Sequence, residues 1–473
     1  MFAVRPCLPG VALLAFLAAG GCNRNAGPDS GAAADSGMPP SDSGGGTDSG
    51  TPGPHGGRYL WDLGSETTGE ETYYTASTAG GFFGTPTETG DLNCDGVDDL
   101  FLGSMRAPSG FAGPCAATPP LCAAGLSCVD GTCAKVDAGQ GHIFFSDGVI
   151  AGQIDVANPG TNQITELWGA NAGDFFAVEA KIADHNGDGC ADLLVGVQNI
   201  DGPTGTTSSS GALYVVFGRP TWPALIDFAD ATTPGVLRIY GGAADDRLGS
   251  WMEDVDVDDD GVRDIMIGAD AADYLGRMNV GATYVMHGDT SWSATMPDTA
   301  IDFAAGLPSG TMVVYGIDNF DHSGATHTGL DIDGDGLEEI VTSAGVNRLS
   351  LSGPSGGDPA VGGGDGPPTE TRAEAGEVYI IWNDGALPSV IDLANPGTVT
   401  VTTLYGADAG DTFGEDLYPG DINADGYGDL VIGALTGNGY LNGVPDTGEA
   451  YVLFGSPALR GTLWMDMRTP PAA

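Results

Sequence analysis

Basic residues are scarce in this chain: 15 Lys and Arg stand against 64 Asp and Glu, a formal net charge of -49. A surface of that sign repels phosphate backbones and anionic bilayers, which argues against nucleic acid as a partner. Histidine is also sparse, six in 473 residues, and only His322 and His327 lie close together. Their place in a Gly-rich stretch reads as turn residues rather than as metal ligands. No H-E-x-x-H and no nucleophile elbow is found, so no standard hydrolase signature is present. C-x-x-C pairs are missing too, which weakens a zinc reading of the cysteines. The apolar stretch at residues 11–19 is too short to span a bilayer.

That stretch follows Arg5 and runs into the small residues Ala19, Gly20 and Gly21 before Cys22. The pattern is that of a bacterial lipoprotein signal over residues 1–21, with Cys22 the acylated first residue of the exported chain. Residues 22–57 are mostly Gly, Ser, Pro, Ala and Asp, too polar to bury a core. They read as a disordered tether spanning about 30 to 35 Å. The expected setting is the outer membrane or cell surface, or secretion if Cys22 is not lipidated. Outside Cys7 and Cys22 six cysteines remain, an even number suited to an oxidising compartment. Cys115, Cys122, Cys128 and Cys133 fall in one segment and are expected to form two disulfides, with three connectivities open. Whether Cys94 and Cys190 pair is undecided from sequence.

An acidic run of the form D-x-[DN]-x-D-G-x-x-[DE] occurs five times, each time leading into a short apolar strand. The copies carry oxygen donors at Asp91, Asn93, Asp95 and Asp99; Asp184, Asn186, Asp188 and Asp192; Asp256, Asp258, Asp260 and Asp264; Asp331, Asp333, Asp335 and Glu339; and Asp421, Asn423, Asp425 and Asp429. Carboxylate and amide oxygens at positions 1, 3, 5 and 9, with Gly at 6 for the sharp turn, make a cage of hard oxygen ligands suited to Ca2+. Up to five structural calcium ions are expected. An EF-hand would need a carboxylate at position 12, where Leu102, Val195, Ile267, Thr342 and Ile432 stand instead. The loops are therefore expected to be turns of β-hairpins.

With 41% hydrophobic residues and 79 glycines, the chain is expected to be all-β. Around each acidic loop a longer unit recurs: a Gly-x-x-Tyr-Val-type strand, an Ile-Asp step at Ile154, Ile226, Ile301 and Ile391, and a strand ending at Trp168-Gly169, Tyr240-Gly241, Tyr315-Gly316 and Tyr405-Gly406. Four strands per unit, repeated five times, predict a β-propeller of four-stranded antiparallel blades, most simply five of them, over residues 58–473. Trp61-Asp62-Leu63 resembles the Ile-Asp step and Tyr73-Tyr74 the fourth strand, and Met465-Asp466-Met467 is again at that step, so the first strands are expected to complete the last blade. Phe83-Gly84, Phe413-Gly414 and Gly433-Ala434, beside the acidic loops, resemble the FG-GAP repeat family, the calcium-bearing propeller of integrin α-subunits. Elsewhere the match degenerates to Phe176-Ala177, Leu248-Gly249 and Ser323-Gly324.

The long variable segments, including a Cys-rich insertion at 104–140 and a Gly/Pro-rich one at 343–375, are placed between the second and third strands of each unit. They would converge on the face opposite the acidic loops, which makes that face the candidate recognition surface. The resemblance implies non-enzymatic adhesion to an extracellular protein or glycan. The alternative is a glycan-active hydrolase or lyase using acids in the central channel of the propeller. Asp155, Asp227, Asp302 and Asp392 recur at the Ile-Asp step, and recurrence in every unit marks turn bonds rather than catalysis.

Overall fold

The computed structural model describes Thr72–Thr75 and residues 82–469, apart from stretches at 112–113, 116–121, 124, 130–131, 147–151, 156–162, 345–366, 368–371, 440–443 and 445–446. The signal at 1–21, Cys22, the tether at 22–57 and most of the 343–375 insertion lie outside these residues. The described chain is all-β, its one helical element being the single 3-10 turn Phe303–Ala305.

Each repeat folds as an antiparallel meander. The first sheet holds Thr87–Gly90, Asp99–Ser104, Gln140–Phe144 and Ile164–Trp168. The second holds Phe176–Ala183, Asp192–Val197, Ala212–Val216 and Val236–Tyr240; the third Met252–Val255, Asp264–Ala269, Ala282–Met286 and Met312–Tyr315; the fourth His327–Leu330, Glu339–Ala344, Glu377–Ile381 and Val401–Tyr405. The fifth has three strands among the described residues, Phe413–Gly420, Asp429–Ala434 and Glu449–Leu453. Strand two of every sheet is a short Leu/Ile/Val run, buried throughout in the second, third and fourth sheets, as expected for strands covered on both faces.

The Ile-Asp step does more than turn the chain. Leu225–Asp227, Thr299–Asp302, Val390–Asp392 and Trp464–Asp466 each pair in parallel with the fourth strand of the preceding sheet. Four sheets are thus five-stranded, the outermost strand donated by the next repeat, where four antiparallel strands were expected. Gly152–Asp155, the step of the first repeat, pairs in the same way with Thr72–Thr75. The aspartates of the step make the expected turn bonds, each accepting the backbone amide two residues on: Asp227 from Ala229, Asp302 from Ala304, Asp392 from Ala394 and Asp466 from Arg468.

Scarce cations fasten this exchange. Lys135, Arg277 and Arg372 project from the segments between strands two and three. Each donates to the carbonyl of Gly169, Gly316 or Gly406 after strand four and to Asp227, Asp392 or Asp466 of the incoming strand. Arg372 and Asp466 are the tightest pair, 2.6 Å apart with the guanidinium buried.

The first strands of successive sheets lie side by side, from Thr87–Gly90 through Phe176–Ala183, Met252–Val255 and His327–Leu330 to Phe413–Gly420. Apolar cores fill the spaces between neighbouring sheets: Phe101, Leu167, Phe176 and Tyr214 between the first and second; Leu213, Leu237, Ile265 and Met286 between the second and third; Met266, Val314, Ile340 and Tyr379 between the third and fourth; Val378, Leu404, Phe413 and Ile432 between the fourth and fifth. No such cluster among the described residues joins the fifth sheet to the first. The fifth is correspondingly exposed: Val452, Phe454 and Ile422 are 42%, 51% and 52% accessible, whereas Leu92 and Ile332, at the loop position of Ile422, are buried.

The Cys-rich insertion at 104–140 is built into the first sheet. Its ends are strand residues, Ser127–Val129 pairs with Thr132–Ala134, and Ser109 and Lys135 exchange backbone hydrogen bonds. Cys115 bonds to Cys128 and Cys122 to Cys133, which fixes the connectivity left open above.

Candidate metal centres

All five acidic runs are hairpin turns joining strands one and two, at residues 91–98, 184–191, 256–263, 331–338 and 421–428. The turn closes because the glycine at position 6 takes φ between 84° and 94° in every copy (Gly96, Gly189, Gly261, Gly336, Gly426), the left-handed region where a Cβ is costly. The carboxylate at position 1 then accepts the amide of that glycine: Asp91, Asp184, Asp256, Asp331 and Asp421 do so at 2.8 to 3.1 Å. Position 5 accepts the amide two residues on, from Val97, Cys190, Val262, Leu337 and Tyr427. Side-chain oxygens are thereby drawn to the inside of the turn.

Position 9 is the hinge between loop and sheet. One oxygen of Asp99, Asp192, Asp264, Glu339 and Asp429 accepts the amide at position 2. In four copies the other oxygen takes the amide of Ser146, Gly218, Gly288 or Gly455, which follows strand three. Glu339 is the exception: one methylene longer, it is fully buried and its Oε1 makes no hydrogen bond. Burial pushes the carboxyls up, Asp99 and Asp264 to about 6, Asp192 and Glu339 to about 8. A buried acceptor without a donor, facing two further carboxylates of its loop, fits a divalent cation. Ligand atoms of Asp331, Asp333 and Glu339, and of Asp256, Asp258 and Asp260, lie within 4.8 Å of one another. The donor set is hard oxygen, the chemistry of Ca2+.

The loops differ in what faces them. At the fourth, Arg460 Nη1 reaches Asp333 at 2.9 Å and Asp335 at 2.6 Å, while Nη2 donates to the carbonyl of Asn383. At the third, His287 faces Asp258 and Asp264. The first and second are joined covalently through Cys94 and Cys190.

A second polar centre was missed by the sequence reading. Two rungs in from position 9, the five first strands present Glu88, Lys181, Glu253, Thr328 and Tyr418 at equivalent register. Lys181 pairs with Glu253 at 2.5 Å and lies 3.7 Å from Asp254. Glu179 is one alternation further along its strand. Burial raises Glu88 to about 7, partly offset by Lys181, and Glu179 to about 8. In a single strand these residues look like ordinary polar positions; only superposing the five repeats would have grouped them.

Burial of such carboxyls has a signed consequence. Glu88, Glu179 and Asp321 titrate at about 7 to 8 when folded, above their ordinary 3.8 to 4.5. Their contribution to stability is therefore complete below pH 4 and lost as pH rises through 7 to 8. The buried imidazoles of His142 and His327, lowered to about 4, act oppositely but only below about pH 6.5. In chelator, the melting temperature is expected to rise by a few degrees between pH 8 and pH 6.5. Calorimetry at the two pH values checks this, and a fall over that interval would contradict the burial of these acids.

An FG-GAP repeat model matches residues 413–453, which are the three strands of the fifth sheet with the loop at 421–428. No curated protein matches the chain.

Proposed function

We propose that this chain, one of whose units is an FG-GAP repeat, is a calcium-stabilised β-propeller lipoprotein of five blades, displayed outside the cell and binding a protein or glycan without turnover. The observation that supports calcium most is the repeated hairpin itself, with its inward oxygens and the undonated Oε1 of buried Glu339. Asp91, Asn93, Asp95 and Asp99, and their counterparts in the other four loops, would hold the ions. Ring closure is part of the reading. Every donated strand but one pairs with a fourth strand of the preceding sheet, and Gly152–Asp155 pairs with Thr72–Thr75. By that rule Thr72–Thr75 would serve as the fourth strand of the fifth sheet, although here it pairs only with Gly152–Asp155.

In an antiparallel meander the turn between strands two and three emerges opposite the turn between one and two. The segments at 104–140, 198–210, 270–280 and 435–447 would thus lie on the face away from the acidic hairpins, and loops on a rigid scaffold are the usual seat of recognition. Attachment through Cys22 and the tether would display the folded body away from the membrane. The test is a glycan and protein array probed with the chain in calcium. Binding that is lost when loop residues 198–210 are replaced by a short Gly-Ser turn supports the reading; binding retained, or none to any array member, counts against it.

The raised carboxyls of Glu88 and Glu179 favour a second reading, a glycan-active hydrolase or lyase with an axial acid. Turnover of any arrayed glycan that Glu88→Gln or Glu179→Gln abolishes would replace the first reading with this one.

A further inference from the structure

The third loop is chemically unlike the others. The residue directly after strand three is Phe145, Phe217, Trp382 and Phe454 in four of the five repeats. In the third repeat it is His287. Its Nδ1 is buried from solvent, makes no hydrogen bond, and sits 3.4 Å from Asp258 Oδ2 and 3.3 Å from Asp264 Oδ1. Asp264 is itself 1% exposed and held by the amides of Val257 and Gly288, so the nitrogen faces a fixed oxygen.

Asp258 has changed its role to match. At position 3 of the other loops Asn93, Asn186, Asp333 and Asn423 each accept the amide at position 5. In the third loop that amide, of Asp260, goes to Asp256 instead, and Asp258 points its carboxylate at the imidazole. Ligand atoms of Asp258, Asp264 and His287 lie within 4.8 Å of one another. Two carboxylate oxygens and one imidazole nitrogen converging on one point are a nitrogen–oxygen donor set. Ca2+ takes oxygen only, whereas imidazole suits Zn2+, Co2+ and other first-row dications.

We propose that the third loop is a transition-metal site, with His287 Nδ1, Asp258 and Asp264 as its ligands, set in a series of loops that take calcium. The inference rests on the calcium reading for the other four loops but not for its own three ligands. An aromatic at position 287 would return this repeat to the pattern of its neighbours, three of which carry phenylalanine there and one tryptophan, so His287→Phe is a substitution the fold already accommodates.

The experiment is a Co2+ titration of the tag-free, chelator-treated chain, in the presence and absence of millimolar Ca2+, followed by visible absorption and calorimetry. One equivalent of Co2+ is expected to bind with ligand-field bands of nitrogen coordination and to survive excess Ca2+. His287→Phe is expected to weaken that site about 100-fold or more, beyond the 10- to 100-fold typical of losing an outer partner, and to leave Ca2+ uptake by the other loops unchanged. His287→Gln gives the same comparison if the Phe variant fails to fold. Equal Co2+ binding by wild type and variant, or Ca2+ uptake with no Co2+ site, overturns the proposal and leaves the calcium reading standing. A Co2+ site without Ca2+ uptake does the reverse, and uptake of neither metal overturns both.

Discussion

Withdrawing calcium is expected to lower the melting temperature of this protein by several degrees, about 2 to 14 °C. A ligand bound only by the native state stabilises it by RT ln(1 + [L]/Kd). Extracellular modules bind Ca2+ with Kd of about 10⁻⁴ to 10⁻³ M, so at 1 mM each loop contributes about 0.4 to 1.4 kcal/mol. Four or five such loops together reach several kcal/mol, and a body of this size moves by roughly 1 to 2 °C per kcal/mol. The sign is reinforced by Coulomb's law. Asp256, Asp258 and Asp260 crowd their oxygens within 4.8 Å, and a chain with 64 acids against 15 bases has few cations to relieve them. Melting in calcium and in chelator, at one pH and ionic strength, reads the effect directly.

Loss of the Cys94–Cys190 disulfide is expected to cost about 4 kcal/mol. The two residues are 96 apart in sequence, and closing a loop of that length removes more denatured-state entropy than the 13- and 11-residue loops of Cys115–Cys128 and Cys122–Cys133. Its position adds to the effect, because Cys94 and Cys190 belong to neighbouring acidic hairpins and the bond holds like-charged turns together. The Cys94→Ser/Cys190→Ser variant should melt about 5 °C or more below wild type, and further below it in chelator than in calcium. The Cys115→Ser/Cys128→Ser variant should lose less, since its loop is short and the insertion is also held through Ser109, Lys135 and the Ser127–Val129 hairpin. Equal losses in the two variants would show that loop length is not what sets the contribution.

Much of this architecture is legible in the chain because its signals are local. The glycine at position 6 and the carboxylates at 1 and 5 fix the hairpin within nine residues, and the apolar residue at position 12 places a strand where an EF-hand would need a ligand. The Asx turns at Asp227, Asp302 and Asp392 are likewise set two residues away. What the sequence hides is whatever spans repeats. The Ile-Asp step gives no hint that it leaves its own sheet for the previous one, since a three-residue strand pairs by position rather than by pattern. Arg460 meets Asp333 and Asp335 across more than a hundred residues, and a lone arginine in an acidic chain marks no partner. Glu88, Lys181 and Glu253 become a group only when five inner strands are set side by side. His287 carries no signal of its own, because a single histidine after a strand is unremarkable until it is compared with Phe145, Phe217, Trp382 and Phe454.

The central claim is that cations hold the acidic hairpins, and a calcium titration of the chelator-treated chain by calorimetry tests it most directly. The account predicts uptake of four or five ions with dissociation constants of about 10⁻⁴ to 10⁻³ M, with one fewer ion bound when Asp421→Ala and Asp425→Ala are combined in the FG-GAP-matched loop. A chain that takes up no calcium, or the same number of ions with and without those two carboxylates, would contradict it.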